Sequence, residues 1–184
     1  MKPKLFIVTG NAMKFRELSE KLSEFFDCEQ KVLNEPEIQG SPEEILKHKI
    51  TRAYEFFKQP VLVDDVIVHF EALNGFPGPY MKYFWECFTP YEMGVKFAGS
   101  RIQAVCHLGL YRKEGEIIVA EGVLNGKVIV PENKDYKDRY FDLFFQPDGM
   151  DKPMIDCSTE EKNEFSHRGL AMKNLIAILK KENI

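Results

Sequence analysis

The stretch Leu5-Phe6-Ile7-Val8-Thr9-Gly10-Asn11 constrains this chain more than any other. Four apolar residues, two of them β-branched, run straight into a Thr-Gly-Asn turn. From Ala12 onward Phe15, Leu18, Leu22 and Phe25 recur at helical spacing, and Asn11 stands where an N-cap belongs. The pattern predicts a buried strand, a tight turn and an amphipathic helix. Such a turn faces the unpaired N–H groups and the positive dipole end of the helix. Lys14 adds a full positive charge in the first helical turn, where the dipole disfavours it. An anion beside both would relieve that conflict, so the turn is a candidate phosphate site. It is not a Walker loop, because only one glycine is present and no Gly-Lys-Ser/Thr follows. A plain strand-to-helix turn with a solvated lysine carries the same local signature, so the rest of the chain must decide.

A length of 184 residues points to one domain over 1–184, long enough to bury a substantial core. Net charge is −4, which argues against a broad nucleic-acid-binding face; an anion site here has to be a local cluster of Lys and Arg. No apolar run approaches the ~20 residues of a membrane span, and Leu5–Val8 is too short for a secretory leader. Cys28, Cys87, Cys106 and Cys157 form no C-x-x-C pair, and the four histidines are equally scattered. Reduced thiols in a cytoplasmic protein are expected, without a zinc site.

Further along, Cys28–Leu33 reads as a second strand. Ser41-Pro42-Glu43-Glu44 combines an N-cap, a first-position proline and a glutamate at N3, predicting a helix to about Phe57 that buries Ile45, Ile50, Ala53 and Phe57. Val61-Leu62-Val63 reads as a central strand ending at Asp64-Asp65. An aromatic helix with Tyr83, Phe84, Trp85 and Phe88 follows the rigid Gly75–Pro79 loop. Strands are expected over Arg101–Tyr111, Ile117–Leu124, Lys127–Val130 and Tyr140–Phe145, with Asn125-Gly126 as a hairpin turn. A second capping box at Ser158–Glu161 opens a helical C-terminal part with a break near Gly169. The pattern is that of an α/β domain on a mixed sheet.

Neighbouring strand residues point to opposite faces, so one carboxylate of Asp64-Asp65 is expected to face any one site unless the strand is bulged. Carboxylates at strand ends are where α/β proteins keep Mg²⁺ ligands or general bases, although a solvated strand end fits equally. Glu43 and Glu44 serve the helix start, which leaves Glu37, in the loop before it, as the better metal candidate. Lys49 reads on periodicity alone as solvated. Counting back from Met172, Leu175, Ile176 and Leu179 puts Arg168 at the head of a buried stripe, which suggests an ion pair or an anionic ligand. Ser166 and His167 cannot act as a nucleophilic dyad on a helix, where neighbours point about 100° apart.

Together these residues resemble the inosine triphosphate pyrophosphatases, the Ham1-type nucleoside triphosphate pyrophosphatases, and the eukaryotic branch in particular. The matching pieces are Thr9–Lys14, Glu37–Gly40, Leu62–Asp65, Ala72–Tyr80, Phe145–Gly149 and Glu161–Arg168, in family order and over nearly the whole chain. The resemblance implies an elongated mixed sheet flanked by helices, with a nucleotide cleft between two lobes, in a homodimer. It implies Mg²⁺-dependent hydrolysis of ITP, dITP and XTP to the monophosphate and pyrophosphate, with Mn²⁺ as the alternative ion. By position, Thr9, Gly10, Asn11 and Lys14 would hold the phosphates with Lys49. Glu37 and Asp65 would serve the metal and the attacking water, with Lys14 as a third catalytic group. Phe141, Asp142, Lys162, Ser166, His167 and Arg168 would hold the base.

The sequence departs from the family at Arg139-Tyr140-Phe141-Asp142-Leu143, where a glycine and a proline are lost and arginine replaces the aromatic that usually stacks on the base. The preceding loop is about two residues longer than in the human-like pattern. A shifted base preference, or a nucleotide-binding homologue with weak catalysis, are the alternatives these departures leave open.

Overall fold

The computed structural model describes residues 2–113, 115–132 and 141–182. Arg139 and Tyr140, in the segment that departs from the family, lie outside the described residues, so the first residue of the expected Tyr140–Phe145 strand does too.

Strand β1 (Lys4–Val8) leads into helix α1 (Ala12–Leu22), and β2 (Asp27–Lys31) follows. Helix α2 (Pro42–Phe57), strand β3 (Val61–Phe70), the short β4 (Pro77–Gly78) and helices α3 (Met81–Cys87) and α4 (Pro90–Phe97) come next. The long strands β5 (Arg101–Lys113) and β6 (Glu116–Val128), then β7 (Phe145–Pro147), α5 (Thr159–Phe165) and α6 (His167–Lys181) complete the described elements. The strands form one mixed sheet in the order β2-β1-β3-β5-β6-β7, with β4 also on β3. β1 is parallel to both β2 and β3, whereas β4 runs antiparallel to β3 and β7 antiparallel to β6. Among the described residues no helix is long and apolar enough to cross a membrane.

The chain gathers into two compact units. The first comprises Met1–Asp65, Cys106–Gly122 and Arg168–Ile184. Phe6, Leu46, Ile50, Ala53, Val61 and Val63 form a core within it, and the Phe57 ring closes edge-on against Phe6. Helix α2 starts where the sequence reading placed it: Ser41 accepts from the Glu44 N–H while the Glu44 carboxylate accepts from the Ser41 N–H. α1 stops at Leu22, one turn short of the expected stripe, so Phe26 rather than Phe25 reaches the core.

The second unit comprises Val66–Val105 and Val123–His167, around an aromatic core of Phe70, Phe84, Phe97, Phe144 and Phe145. Trp85 and Phe88 pack against this core, and Tyr83 is the exposed aromatic of α3.

Four sequence expectations are corrected here. β3 does not end at Asp64-Asp65 but continues through Val66-Ile67-Val68 to Phe70. Asn125-Gly126 is no hairpin turn: β6 runs straight through it. A Cβ at Gly126 would lie 2.4 Å from the Gln146 carbonyl oxygen and 2.7 Å from the Phe145 ring, so glycine serves the close approach of β7. Asn125 meanwhile accepts from the Gln103 amide, which satisfies it within the strand. Phe141–Leu143 is a 3₁₀ turn, with only Phe145–Pro147 extended. The C-terminal break falls at Ser166, whose ψ of 158° ends α5, and Gly169 sits inside α6.

Candidate active site

The Thr9–Lys14 turn is fixed from within. Asn11 caps α1, its side-chain oxygen accepting from the Met13 N–H at 2.9 Å and the Lys14 N–H at 3.1 Å. The Thr9 hydroxyl oxygen accepts from the Asn11 N–H at 3.1 Å. Two of the helix-start N–H groups are thus already used. The donors left without an acceptor among the described residues are the Thr9 O–H, the Asn11 side-chain NH₂ and the Gly10 and Ala12 N–H groups. Gly10 lacks a positive φ, and a Cβ built there meets nothing within 4 Å. Neither conformation nor packing demands glycine at that position. Close approach of a ligand to the backbone is the physical reason left.

The anion that Lys14 required is supplied by the protein. Its ammonium lies 2.8 Å from Asp64 Oδ2, and Arg168 Nη2 lies 3.5 Å from the same oxygen. Arg168 Nη1 in turn reaches Glu17 at 3.1 Å. The expected ion pair at the head of the α6 stripe is therefore present, with Met172, Leu175 and Leu179 buried behind it. The Asp64 side chain is only 3% exposed. Burial alone would raise its carboxyl, but Lys14 and Arg168 outweigh that and hold it below the usual range. Cys106, buried in the same unit, has its thiol pushed up to about 12 by burial and by the Asp64 charge, which makes it an inert thiol.

Asp65, one residue on, serves a different cation. Lys49 Nζ from α2 sits 2.5 Å from Asp65 Oδ1 and 2.9 Å from Glu37 Oε1. Burial lifts the Asp65 carboxyl above its ordinary value; Glu37 and Asp64 add to this and Lys49 opposes it. Burial works against the Lys49 ammonium, yet its two carboxylates hold its proton more tightly than usual. The local reason for this arrangement is pairing on β3. Its first residues pair with β1, at Phe6↔Val61 and Ile7↔Leu62, and its later ones with β4, at Val68↔Gly78. Asp64 and Asp65 fall between the two registers.

The first unit thus brings together Thr9, Gly10, Asn11, Lys14, Glu37, Lys49, Asp65 and Arg168. Asp64, Glu17 and Gln30 belong with them and were not expected. For Asp64 the signal lay in its neighbours: a carboxylate set between Val61-Leu62-Val63 and Val66-Ile67-Val68 has to find a buried cation. Glu17 follows Lys14 by three residues and shares its helix face. Gln30 carried no signal that spacing could reveal.

The remaining expected residues gather in the second unit. Lys162 Nζ bonds Asp142 Oδ2 at 2.9 Å, and the Phe141 ring meets the His167 ring edge-on at 5.3 Å. Ser166 and His167 are both buried. Their backbone is set by the Ser158/Glu161 capping box at one end of α5 and the break at Ser166 at the other. Arg168 is assigned to the first unit and Lys162, Asp142 and His167 to the second.

A glycine turn opening a helix, with two lysines on adjacent carboxylates of a sheet strand, makes this an α/β protein whose turn is a candidate polyanion site. The Ham1 family pattern matches residues 5–178, and the chain belongs to that family. It is 38% identical to the inosine triphosphate pyrophosphatase of Encephalitozoon intestinalis, over 98% of this chain and 95% of that protein. The inosine triphosphate pyrophosphatase of Schizosaccharomyces pombe is 35% identical, over 97% and 96%. The fold is shared with a HAM1 protein from Coxiella burnetii, with a TM-score of 0.82 at 21% identity over 98% of this chain and 100% of that one. It is also shared with a nucleoside-triphosphatase / dITP/XTP pyrophosphatase from Mycobacterium abscessus, with a TM-score of 0.70 at 23% identity over 96% and 98%.

Proposed function

We propose that this chain hydrolyses the non-standard purine nucleoside triphosphates ITP, dITP and XTP to the monophosphate and pyrophosphate, clearing them from the nucleotide pool. The observation that carries the reading is the pair of ammonium groups, Lys14 and Lys49, held by adjacent carboxylates of one strand in the same unit as the open Gly10 turn. The names of the full-length relatives give the substrate class.

Charge balance supports a divalent cation. Lys14, Lys49 and Arg168 stand against Glu17, Glu37, Asp64 and Asp65, so three cations face four carboxylates before a polyanion arrives. Glu37 and Asp65 already converge on one positive charge, that of Lys49, and their oxygens are the hard donors that Mg²⁺ takes, with Mn²⁺ as its substitute. Among the described residues no cluster of three or more acidic, His or Cys side chains could hold a metal by itself. Two carboxylates completed by substrate phosphates is the common Mg²⁺ arrangement. When bound there, the ion's contribution is to offset negative charge at the phosphorus under attack.

The residues divide the remaining work. Lys14 and Lys49, with the Thr9 hydroxyl, the Gly10 N–H and the Asn11 amide, hold the phosphates. Asp65, its carboxyl raised above the ordinary value by burial, is suited to take the proton of the attacking water. Breaking the bridge between the α- and β-phosphates leaves pyrophosphate, whose charge the lysines stabilise. The family resemblance assigns the base to Phe141, Asp142, Lys162, Ser166, His167 and Arg168. Hypoxanthine offers an acceptor at O6 where adenine offers a donor, so a protein donor there is satisfied only by the former.

Pyrophosphate release from ITP, dITP, XTP, ATP, GTP and UTP, with and without Mg²⁺, tests this. The inosine and xanthosine substrates are expected to lead, with ATP slower in kcat/KM by about 10²–10⁴-fold, and EDTA should abolish turnover. ATP at parity, or full activity in EDTA, would sink the reading.

In this reading the enzyme is cytoplasmic, acts on small molecules without nucleic acid or membrane, and works as a homodimer. Tyr83 of α3 and Val95 of α4, 56% and 53% exposed, are the apolar groups that a partner would cover. Light scattering at micromolar concentration is expected to give twice the chain mass; a monomer rules the pairing out.

A further inference from the structure

We propose that Gln30 is a positioning residue for the phosphate turn, its side-chain amide setting the direction of the Gly10 N–H. The proposal rests on the triphosphate reading above. β2 pairs in parallel with β1, bringing Gln30 opposite Ile7 and Lys31 opposite Val8. Thr9 leaves β1 just beyond and is tied to β2 on both sides. Its N–H donates to the Lys31 carbonyl at 2.9 Å, and its own carbonyl accepts from Gln30 Nε2 at 2.9 Å. A carbonyl can only accept, so the group Gln30 presents to it is its NH₂.

The consequence follows from the peptide plane. In a trans peptide the C=O of one residue and the N–H of the next point in opposite directions, and the Thr9–Gly10 bond is not cis. Anchoring the Thr9 carbonyl on β2 therefore turns the Gly10 N–H away from β2. Among the described residues that N–H has no acceptor, and the missing side chain of Gly10 leaves open space around it. The Thr9 hydroxyl and the Asn11 cap fix the next two residues, so Gln30 is the anchor on which the first peptide of the cradle depends. With that anchor lost, the plane could rotate and aim the carbonyl dipole at the anion instead.

Gln30→Glu and Gln30→Met separate positioning from mere packing. The glutamate is isosteric but, when ionised, sets an acceptor against the Thr9 carbonyl; protonated, it can donate again. The methionine keeps length without a donor. Binding of inorganic pyrophosphate, with Mg²⁺ present, is measured by calorimetry on the full chain and referred to wild type at each pH. At pH 8 both variants are expected to bind more weakly, Gln30→Glu by about tenfold, or about 1.4 kcal/mol. At pH 5, nearer a glutamate's ordinary pKa of about 4.3, the Gln30→Glu deficit should at least halve while that of Gln30→Met stays constant. Melting temperatures within a few degrees of wild type complete the expected result. Unchanged binding at pH 8, or a pH-independent deficit that follows a fall in melting temperature, overturns the assignment. Wild type that neither binds pyrophosphate nor releases it from ITP overturns the triphosphate reading itself, and this assignment with it.

Discussion

Glu37→Gln is expected to cut pyrophosphate release from ITP by about 100-fold or more, since the charge stabilisation lost is worth several kcal/mol. Glu43→Gln, six residues on and at a helix start, should leave the rate within about twofold, because it removes only a dipole interaction of about 0.3–1 kcal/mol. The contrast tests the geometry and not merely the presence of acidic residues. Glu37 shares Lys49 with Asp65, whereas Glu44, not Glu43, serves the Ser41 cap. Asp65→Asn should be at least as severe, on the order of 10²–10⁴-fold, because it removes the proposed proton acceptor as well. Raising Mg²⁺ should recover part of the Glu37→Gln loss and little of the Asp65→Asn loss. Equal effects at Glu37 and Glu43 would refute the metal assignment.

Much of this site could be read from residue order, and the reasons for the remainder are specific. Ser41 with Glu44 and Ser158 with Glu161 are local signals, decided within one turn of helix, and the structure has both. Asn125-Gly126 misled because the glycine that favours a turn also admits a neighbouring backbone closely, and β7 lies about twenty residues further on. Asp64-Asp65 misled differently. Charges in sequence usually mark the end of a buried strand, yet here each carboxylate meets a lysine drawn from another element, Lys14 from α1 and Lys49 from α2. Lys14 reads in sequence as a cation whose anion would be a phosphate; the structure pairs it with Asp64, fifty residues away, which is a tertiary fact. The same holds for Gln30, which acts through a carbonyl that sequence does not display.

The structure also refines what the turn can offer a polyanion. A bare helix N-terminus would present a fan of N–H groups, but Asn11 takes two of them. In the proposed function, phosphate binding would then rest on side-chain donors and lysine charge more than on the helix dipole. That shifts the weight of recognition onto how firmly Lys14 and Lys49 are held, and hence onto their carboxylates.

For that reason Asp64→Asn should carry the largest effect on stability. The substitution keeps the shape but removes the charge between Lys14 and Arg168. Breaking one partner of a buried ion pair costs about 3–5 kcal/mol; Lys14 is 29% exposed and can turn partly toward water, so about 3 kcal/mol is expected. For a chain of this length that corresponds to a melting temperature lower by about 6–12 °C. The pH dependence separates this from a packing defect. The Asp64 carboxyl is held below its unfolded value by Lys14 and Arg168 against the opposing pull of burial. Its contribution is therefore complete above the unfolded pKa of about 3.9 and is lost as pH falls through the folded value. Asp65, raised in the folded state by burial, runs the other way, its cost relieved as pH falls. Urea unfolding of wild type and Asp64→Asn from pH 7 down to pH 3 should thus show a gap that is constant near neutrality and narrows as pH falls below about 4. Lys14→Met in the Asp64→Asn background should restore part of the lost stability, because among the described residues Asp64 is the carboxylate that Lys14 pairs with, whereas Arg168 keeps Glu17. A gap that stays the same at pH 7 and pH 3 would mean that Asp64 is held in the fold by its shape and not by its charge.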